Sequence, residues 1–190
     1  MPLTSSSSPH SGSRPGGRSA RVRAAVHQAV RELLADEAND PLTIPVVAAR
    51  AGVHATTVYR RWGSVGELLA DVATSRFSGD LVVPDTGSLR GDLERYAFDL
   101  AKDLSDPDTL ALVRATIGTA GGQGAAACSG ERGQALEAIL ERDRARGNRT
   151  PTLEHTTDAL LAPLYYRAVF TGRPLTTEWT RTLVSRLLPE

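Results

Sequence analysis

Residues 43–62 read Thr43-Ile-Pro-Val-Val-Ala-Ala-Arg-Ala-Gly-Val-His-Ala-Thr-Thr-Val-Tyr-Arg-Arg-Trp62. Thr43 can cap a short helix whose first turn tolerates Pro45. Val46, Val47 and Ala48 supply its buried side. Ala51-Gly52-Val53 ends it, with Gly52 suited to the left-handed position of a helix stop. A second short helix then spans about Ala55 to Trp62. Two short helices joined by a tight glycine turn form a helix-turn-helix, whose second helix enters the major groove of DNA. Ala48, Val53 and Val58 pack the pair together, which leaves Ala55, Thr56, Thr57, Tyr59, Arg60 and Arg61 on the open side. Threonine can bond base edges or phosphates, a small alanine permits close approach, and arginine can fork onto guanine. Thr43, at a helix N-terminus, can bond a phosphate alongside backbone amides.

The flanking sequence supplies the rest of an all-α chain. Upstream, Val22, Val26, Val30, Leu33 and Leu34 recur at spacings of three and four, and the helix should stop before Asn39-Asp40-Pro41. Downstream, Ser64-x-x-Glu67 is a capping box opening a fourth helix with Leu68, Leu69 and Val72 on one side. After a linker from Gly79 to Gly87, four or five further helices follow. Leu89, Leu93, Tyr96, Leu100 and Leu104 form one stripe, and Leu110, Val113 and Ile117 the next. A Gly/Ala stretch, Gly118 to Gly130, is read as a flexible interruption. Leu136, Ile139 and Leu140 sit in a charged helix ending at Gly147, and Pro163 kinks an apolar helix over 153–170. Trp179, Leu183 and Leu187 form the last stripe. The expectation is about nine helices, with no strands and no repeats. Residues 1–17 form a disordered arm, 18–78 a three-helix helix-turn-helix domain, and 79–190 a helical regulatory and dimerisation domain.

Charge gives this division a direction. The chain of 190 residues carries 22 basic and 22 acidic side chains, a formal net charge of zero. Residues 1–62 hold eight arginines against four acids, a surplus of +4, and the remainder carries −4. The head is basic and the body acidic, as a DNA-binding end and a regulatory end would be. Of the basic residues, 21 are Arg and one is Lys. That bias suits phosphate forks and guanine edges, and it is also what a GC-rich genome produces. The Ser/Pro/Gly-rich tail has two readings: a tail with no role, or an arm whose Arg14 and Arg18 reach a minor groove or phosphates.

Other classes find little support. One cysteine, Cys128, excludes a disulfide framework and a multi-thiolate metal site. It reads as inert or, less readily, as a redox sensor. No apolar run approaches the roughly 18 residues of a membrane span, and no signal-like apolar stretch precedes the domain, so the expected location is cytoplasmic. Gly122-Gln-Gly124 matches a dinucleotide fingerprint loosely, but it lacks the strand that motif needs. The four histidines are scattered, and no catalytic, metal or cofactor site can be assembled.

At this point a resemblance becomes specific. Residues 18–72 resemble the DNA-binding domain of the tetracycline-repressor (TetR) family. The carriers are Leu42-Thr43, Ala48, Ala51-Gly52-Val53, Thr57-Val58-Tyr59, Trp62 and Glu67-Leu68-Leu69. The resemblance implies phosphate contacts at Thr43 and Tyr59, base contacts at Ala55 and Thr56, and a core role for Trp62. Two positions depart from the family pattern: Val65 stands where a phosphate-touching lysine is usual, and His54 where a capping serine is usual. Arg50, Arg60 and Arg61 are candidates to compensate. His54 reads as a surface residue rather than a pH switch. The rear half resembles one branch of the family through Asp85-Thr-Gly-Ser-Leu-Arg-Gly-Asp-Leu93, Ala138-Ile-Leu-Glu-Arg142 with Arg146-Gly147, and Leu161-Ala-Pro-Leu-Tyr-Tyr-Arg167 with Thr171-Gly172.

The implied body dimerises through its last two helices and holds a small-molecule pocket. The expected pocket residues are Tyr96, Phe98, Leu112, Ile117, Leu136, Leu140, Leu161 and Tyr165, taking an apolar or aromatic ligand. The expected dimer residues are Leu160, Leu164, Ala168, Trp179, Leu183, Val184 and Leu187, forming half of an intersubunit bundle. The competing reading makes this helix pair the centre of a monomeric core. The functional expectation is a homodimeric regulator, a repressor released from a pseudo-palindromic operator by a ligand. The alternatives are a helical small-molecule-binding protein or enzyme with a vestigial DNA domain, and a protein-interaction module.

Overall fold

The computed structural model describes residues 16–36, 41–77, 82–118 and 123–189, apart from the side chains of 16, 123–129 and 131. Of the expected arm at 1–17, residues 1–15 with Arg14 lie outside the described residues, as does the breaker at Asn39-Asp40, while Gly16 and Gly17 begin the first helix. Nine helices are present and no strand among the described residues. The head comprises α1 (Gly16–Ala35), α2 (Ile44–Arg50), α3 (Ala55–Trp62) and α4 (Val65–Phe77). The body comprises α5 (Leu89–Ser105), α6 (Pro107–Gly118), α7 (Gln123–Ala145), α8 (153–171) and α9 (Thr177–Leu187).

The local signals act where expected. Thr43 caps α2 by accepting from the Val46 N–H, and Gly52 sits at φ +65°. The turn closes when the Val53 N–H reaches the Ala48 carbonyl at 3.0 Å. The Ser64 hydroxyl accepts from the Glu67 N–H at 3.1 Å and starts α4. His54 occupies the N-cap of α3 and makes no side-chain capping bond, as its departure from the usual serine implies.

α4 is the hinge of the architecture. Its buried Leu68, Leu69, Val72 and Ala73 belong to the core, and the helix packs on α1 and α3 in front and on α6 and α7 behind. α4 thus follows the three helices of the helix-turn-helix and is shared with the body. α1 also packs on α6, while α5 packs on α6, α7 and α9.

The first two of the three segments quoted for the rear half fold into one clamp. Asp92, 1% exposed, accepts from the Thr86 N–H and hydroxyl at 2.5 and 2.7 Å. Arg142 of α7 reaches the same carboxylate at 3.3 Å and the Pro84 carbonyl at 2.5 Å. Arg146 holds Asp85 at 3.2 Å. A Cβ at Gly91 would collide with the Thr86 hydroxyl, so glycine is required where the segment folds back on α5. The clamp fixes the chain entering the body.

One expectation changes. The Gly118–Gly130 stretch is not a loop throughout. Residues 119–122 lie outside the described residues, but α7 begins at Gln123 and absorbs the rest. Ala125, Ala126 and Ala127 are strong helix formers and outweigh the glycines. The helix expected over 153–170 runs on through Pro163 to residue 171. A widened turn over Thr157–Leu161, closed by the Ala162 N–H on the Thr157 carbonyl, precedes the proline. That register shift carries the ladder past the N–H that proline lacks. A second widened turn, Arg167–Thr171, offers the Ala168 and Val169 carbonyls to Arg114 of α6 at 3.4 and 3.3 Å.

Candidate DNA-binding face and regulatory body

α3 is held from its inner side. Val58 and Trp62 are 0% and 4% exposed, and both belong to the core that Ala48 and Val53 help form. The Trp62 indole N–H donates to Asp71 of α4 at 2.9 Å. The same carboxylate receives Arg23 at 2.5 and 3.1 Å and His27 at 2.9 Å, both from α1. One acid thus ties three helices together. Burial pushes the Asp71 pKa up, but the hydrogen bonds from Arg23, Trp62 and His27 outweigh it and hold the carboxyl below its ordinary value. Burial lowers the His27 pKa, and the bond to Asp71 offsets only part of that. The neutral ring, donating through Nε2, is the form that fits at pH 7.

With its back fixed, α3 presents Thr56, Tyr59, Arg60 and Arg61 to solvent, with Ala55 and Thr57 half-buried beside them. Tyr59 is 49% exposed. A groove runs alongside, lined by Arg18, Ser19, Val22, Val53, His54, Thr57, Arg60 and Arg61. Arg18 of α1 thus lines the same groove as Arg60 and Arg61 of α3. Arg61 is already engaged, donating to the Ser19 hydroxyl at 2.7 Å and lying over the Trp62 ring. Arg50, at the end of α2, is turned back to Glu32 and Asp36 of α1 at 3.7 and 3.8 Å. Of the expected cations, Arg18 and Arg60 form no ion pair among the described residues. Val65 opens α4, half-buried, and brings no charge.

Among the described residues, no single cleft brings all the expected pocket residues together. Leu112, Leu136, Leu140 and Leu161 are packed into the core, Tyr165 is half-buried, and Phe98 and Ile117 are 40% and 44% exposed. Tyr96 does line a cleft of about 310 Å³ between α4, α5, α6 and α7. Its other walls are Arg76, Val82, Pro84, Arg95, Asp99, Lys102, Asp103, Thr109 and Arg132. That lining is largely charged. The expected dimer residues are likewise internal. Leu160, Leu164, Ala168, Leu183, Val184 and Leu187 are all at most 6% exposed within a single protomer, and Trp179 is half-buried. What the last two helices expose is Tyr166 and Phe170, 63% and 69%, with rings 5.5 Å apart. Arg167 stacks over Trp179 at 4.3 Å beside them. An all-apolar helix does not announce which of its sides its own protomer will cover.

Comparison with known proteins agrees with this geometry. Residues 83–187 match the model of the tetracyclin repressor-like C-terminal domain. The HTH-type transcriptional regulator AqdR of Rhodococcus erythropolis is 35% identical over 159 residues, covering 82% of this chain and 75% of that protein. The chain belongs to the TetR family of transcriptional regulators. The HTH-type regulator YdeS of Bacillus subtilis is 28% identical, with 84% of each chain covered. Among solved structures, the TetR-family regulator SCO0332 aligns with a TM-score of 0.69 at 29% identity, over 88% of this chain and 97% of that one. A TetR-family regulator from Marinobacter aquaeolei VT8 shares the fold with a TM-score of 0.60 at 17% identity. This TetR-family chain is therefore a DNA-binding transcriptional regulator. Among its described residues, no helix is long and apolar enough to cross a membrane.

Sequence reasoning missed the Asp71 junction and the charge of the cleft. The signals were present: Arg23 and His27 share a face at i, i+4, and Asp71 interrupts the apolar side of α4.

Proposed function

We propose that this TetR-family regulator is a cytoplasmic, non-enzymatic homodimeric repressor that leaves a pseudo-palindromic operator when a small ligand occupies its body. The observation that carries this reading is the span of α4. Asp71 anchors the recognition helix α3 through Trp62, and five residues on Arg76 lines the cleft. A ligand that prefers one position of α4 shifts the population of recognition-helix positions by its differential affinity. Two recognition helices then no longer match successive major grooves. Thr43 and Tyr59 hold phosphates, Thr56 and Ala55 meet bases, and Arg18 and Arg60 add phosphate contacts, with Thr57, His54, Arg50 and Arg61 bordering or bracing the face. The exposed pair Tyr166 and Phe170, beside Trp179, supports a dimer face on α8 and α9, with the expected leucines packed beneath it.

Selection of bound DNA from a random pool tests the reading. Wild-type protein should enrich a two-fold symmetric motif with salt-dependent affinity. Thr56→Ala should change the preferred base at a position in each half-site, a difference of about 1–3 kcal/mol. Tyr59→Ala should weaken all sequences alike and leave the salt slope unchanged, because a neutral phenol that bonds a phosphate displaces no counterion. An unselected pool with no salt dependence would favour a small-molecule-binding protein or enzyme with a vestigial DNA domain.

A further inference from the structure

The cleft beside α4 carries charge of the opposite sign to the body around it. Residues 63–190 sum to −4, yet the cleft is walled by four cations, Arg76, Arg95, Lys102 and Arg132, against two acids, Asp99 and Asp103. Both acids are spent internally. Asp99 takes Arg95 at 2.7 Å, and Asp103 takes Arg132 at 2.8 Å. Arg76 and Lys102 remain. Lys102 forms no ion pair among the described residues. Arg76 has Asp106 at 3.8 Å, outside hydrogen-bond reach, while Asp106 is held by the Thr109 N–H and hydroxyl at 2.9 and 2.8 Å. Those bonds, the backbone one foremost, keep its carboxyl below the ordinary value and committed to the start of α6. Two cations thus face one cleft from α4 and α5 without a strong local partner.

The remaining walls suit the rest of a small molecule. Tyr96 is 3% exposed, its hydroxyl bonded to the Arg132 carbonyl at 3.2 Å, so its ring is a fixed surface. Val82 and Pro84 supply apolar wall. A volume of about 310 Å³ is at the small end for ligand sites.

We propose that the effector of this regulator is a small organic anion, its carboxylate held by Arg76 and Lys102 and its apolar part laid against Tyr96, Val82 and Pro84. A carboxylate in this position completes the charge pattern of the cleft, whereas a neutral isostere leaves both cations unmatched. The proposal rests on the ligand-responsive reading above and names the ligand class. Because Arg76 belongs to α4, a bound anion pulls directly on the helix that carries Asp71.

The test uses full-length protein and paired probes: benzoate, salicylate and octanoate, each against its carboxamide. Binding is read by ligand-observed NMR and by the rise in unfolding temperature. The carboxylates should bind at millimolar concentration and their amides about tenfold more weakly, the scale of a charge-assisted hydrogen bond lost. The double variant Arg76→Gln, Lys102→Gln should remove that preference, and its own unfolding temperature checks that it folds. Equal binding of acids and amides overturns the proposal, as does a preference that survives the double variant or an absence of carboxylate binding at millimolar concentration. DNA selection run in parallel separates the two failures. A protein that enriches an operator but ignores carboxylates loses only this inference, whereas one that enriches no DNA loses the regulatory reading itself.

Discussion

At the scale of single residues, Asp92 shows how much one buried acid can hold. It joins the entry segment at Thr86 to α5 and, through Arg142, to α7. Removing it strands the Thr86 donors and leaves Arg142 without its buried partner. Asp92→Ala should cost about 2–3 kcal/mol, less than a fully buried pair because Arg142 is partly solvated. Urea unfolding should show a lower midpoint with an unchanged slope. A loss below about 0.5 kcal/mol, the level of an ordinary surface change, would sink the clamp. The sequence displayed both halves of this clamp as separate motifs, Asp85–Leu93 and Ala138–Arg142, and nothing in their spacing said they meet. Thr56, Tyr59 and Arg60 were the opposite case. Their exposure followed from the register of Val58 and Trp62 on an eight-residue helix, because an α3 with two buried anchors has only one open side.

At the scale of helices, the junction of α1, α3 and α4 makes a pH prediction. His27 is buried, and its pKa lies below the ordinary 6.5, chiefly through desolvation. Above that value folded and unfolded chains both carry it neutral. As pH falls, the unfolded chain takes up the proton first, so stability is full above about 6.5 and is lost on acidification. Asp71, also lowered, acts in the same direction at more acid pH. His27→Gln retains a donor toward Asp71 but cannot titrate. Its unfolding temperature should therefore fall less than that of wild type between about pH 7.5 and pH 5.5. Identical slopes would remove His27 from the account. The helix boundaries themselves were largely legible, because caps and stops are local: Thr43, Gly52, Ser64 and Gly147 did what their side chains or missing side chains allow. The exception was cumulative. Three alanines carried α7 back to Gln123.

At the scale of the whole molecule, the basic head and acidic body orient the protein toward a duplex. In a dimer the heads lie together, so assembly and DNA affinity should fail together. Tyr166→Glu with Phe170→Glu places charge on the exposed aromatic face while leaving the core leucines in place. Sedimentation should show a dimer for wild type and a monomer for the variant at micromolar concentration, with operator affinity lost in parallel. A variant that remains a dimer moves the interface elsewhere.

By itself the sequence determined the all-helical class, the helix-turn-helix, the open side of its second helix and the polarity of charge. Each depends on interactions within a turn or two of helix, or on counting. Only the tertiary structure decided which leucines the protomer keeps for itself, that the cleft beside Tyr96 is cationic, and that Asp71 fastens three helices. Those outcomes depend on which faces meet, and residues such as Arg23 and Asp71, or Arg76 and Lys102, become neighbours only when separate helices pack.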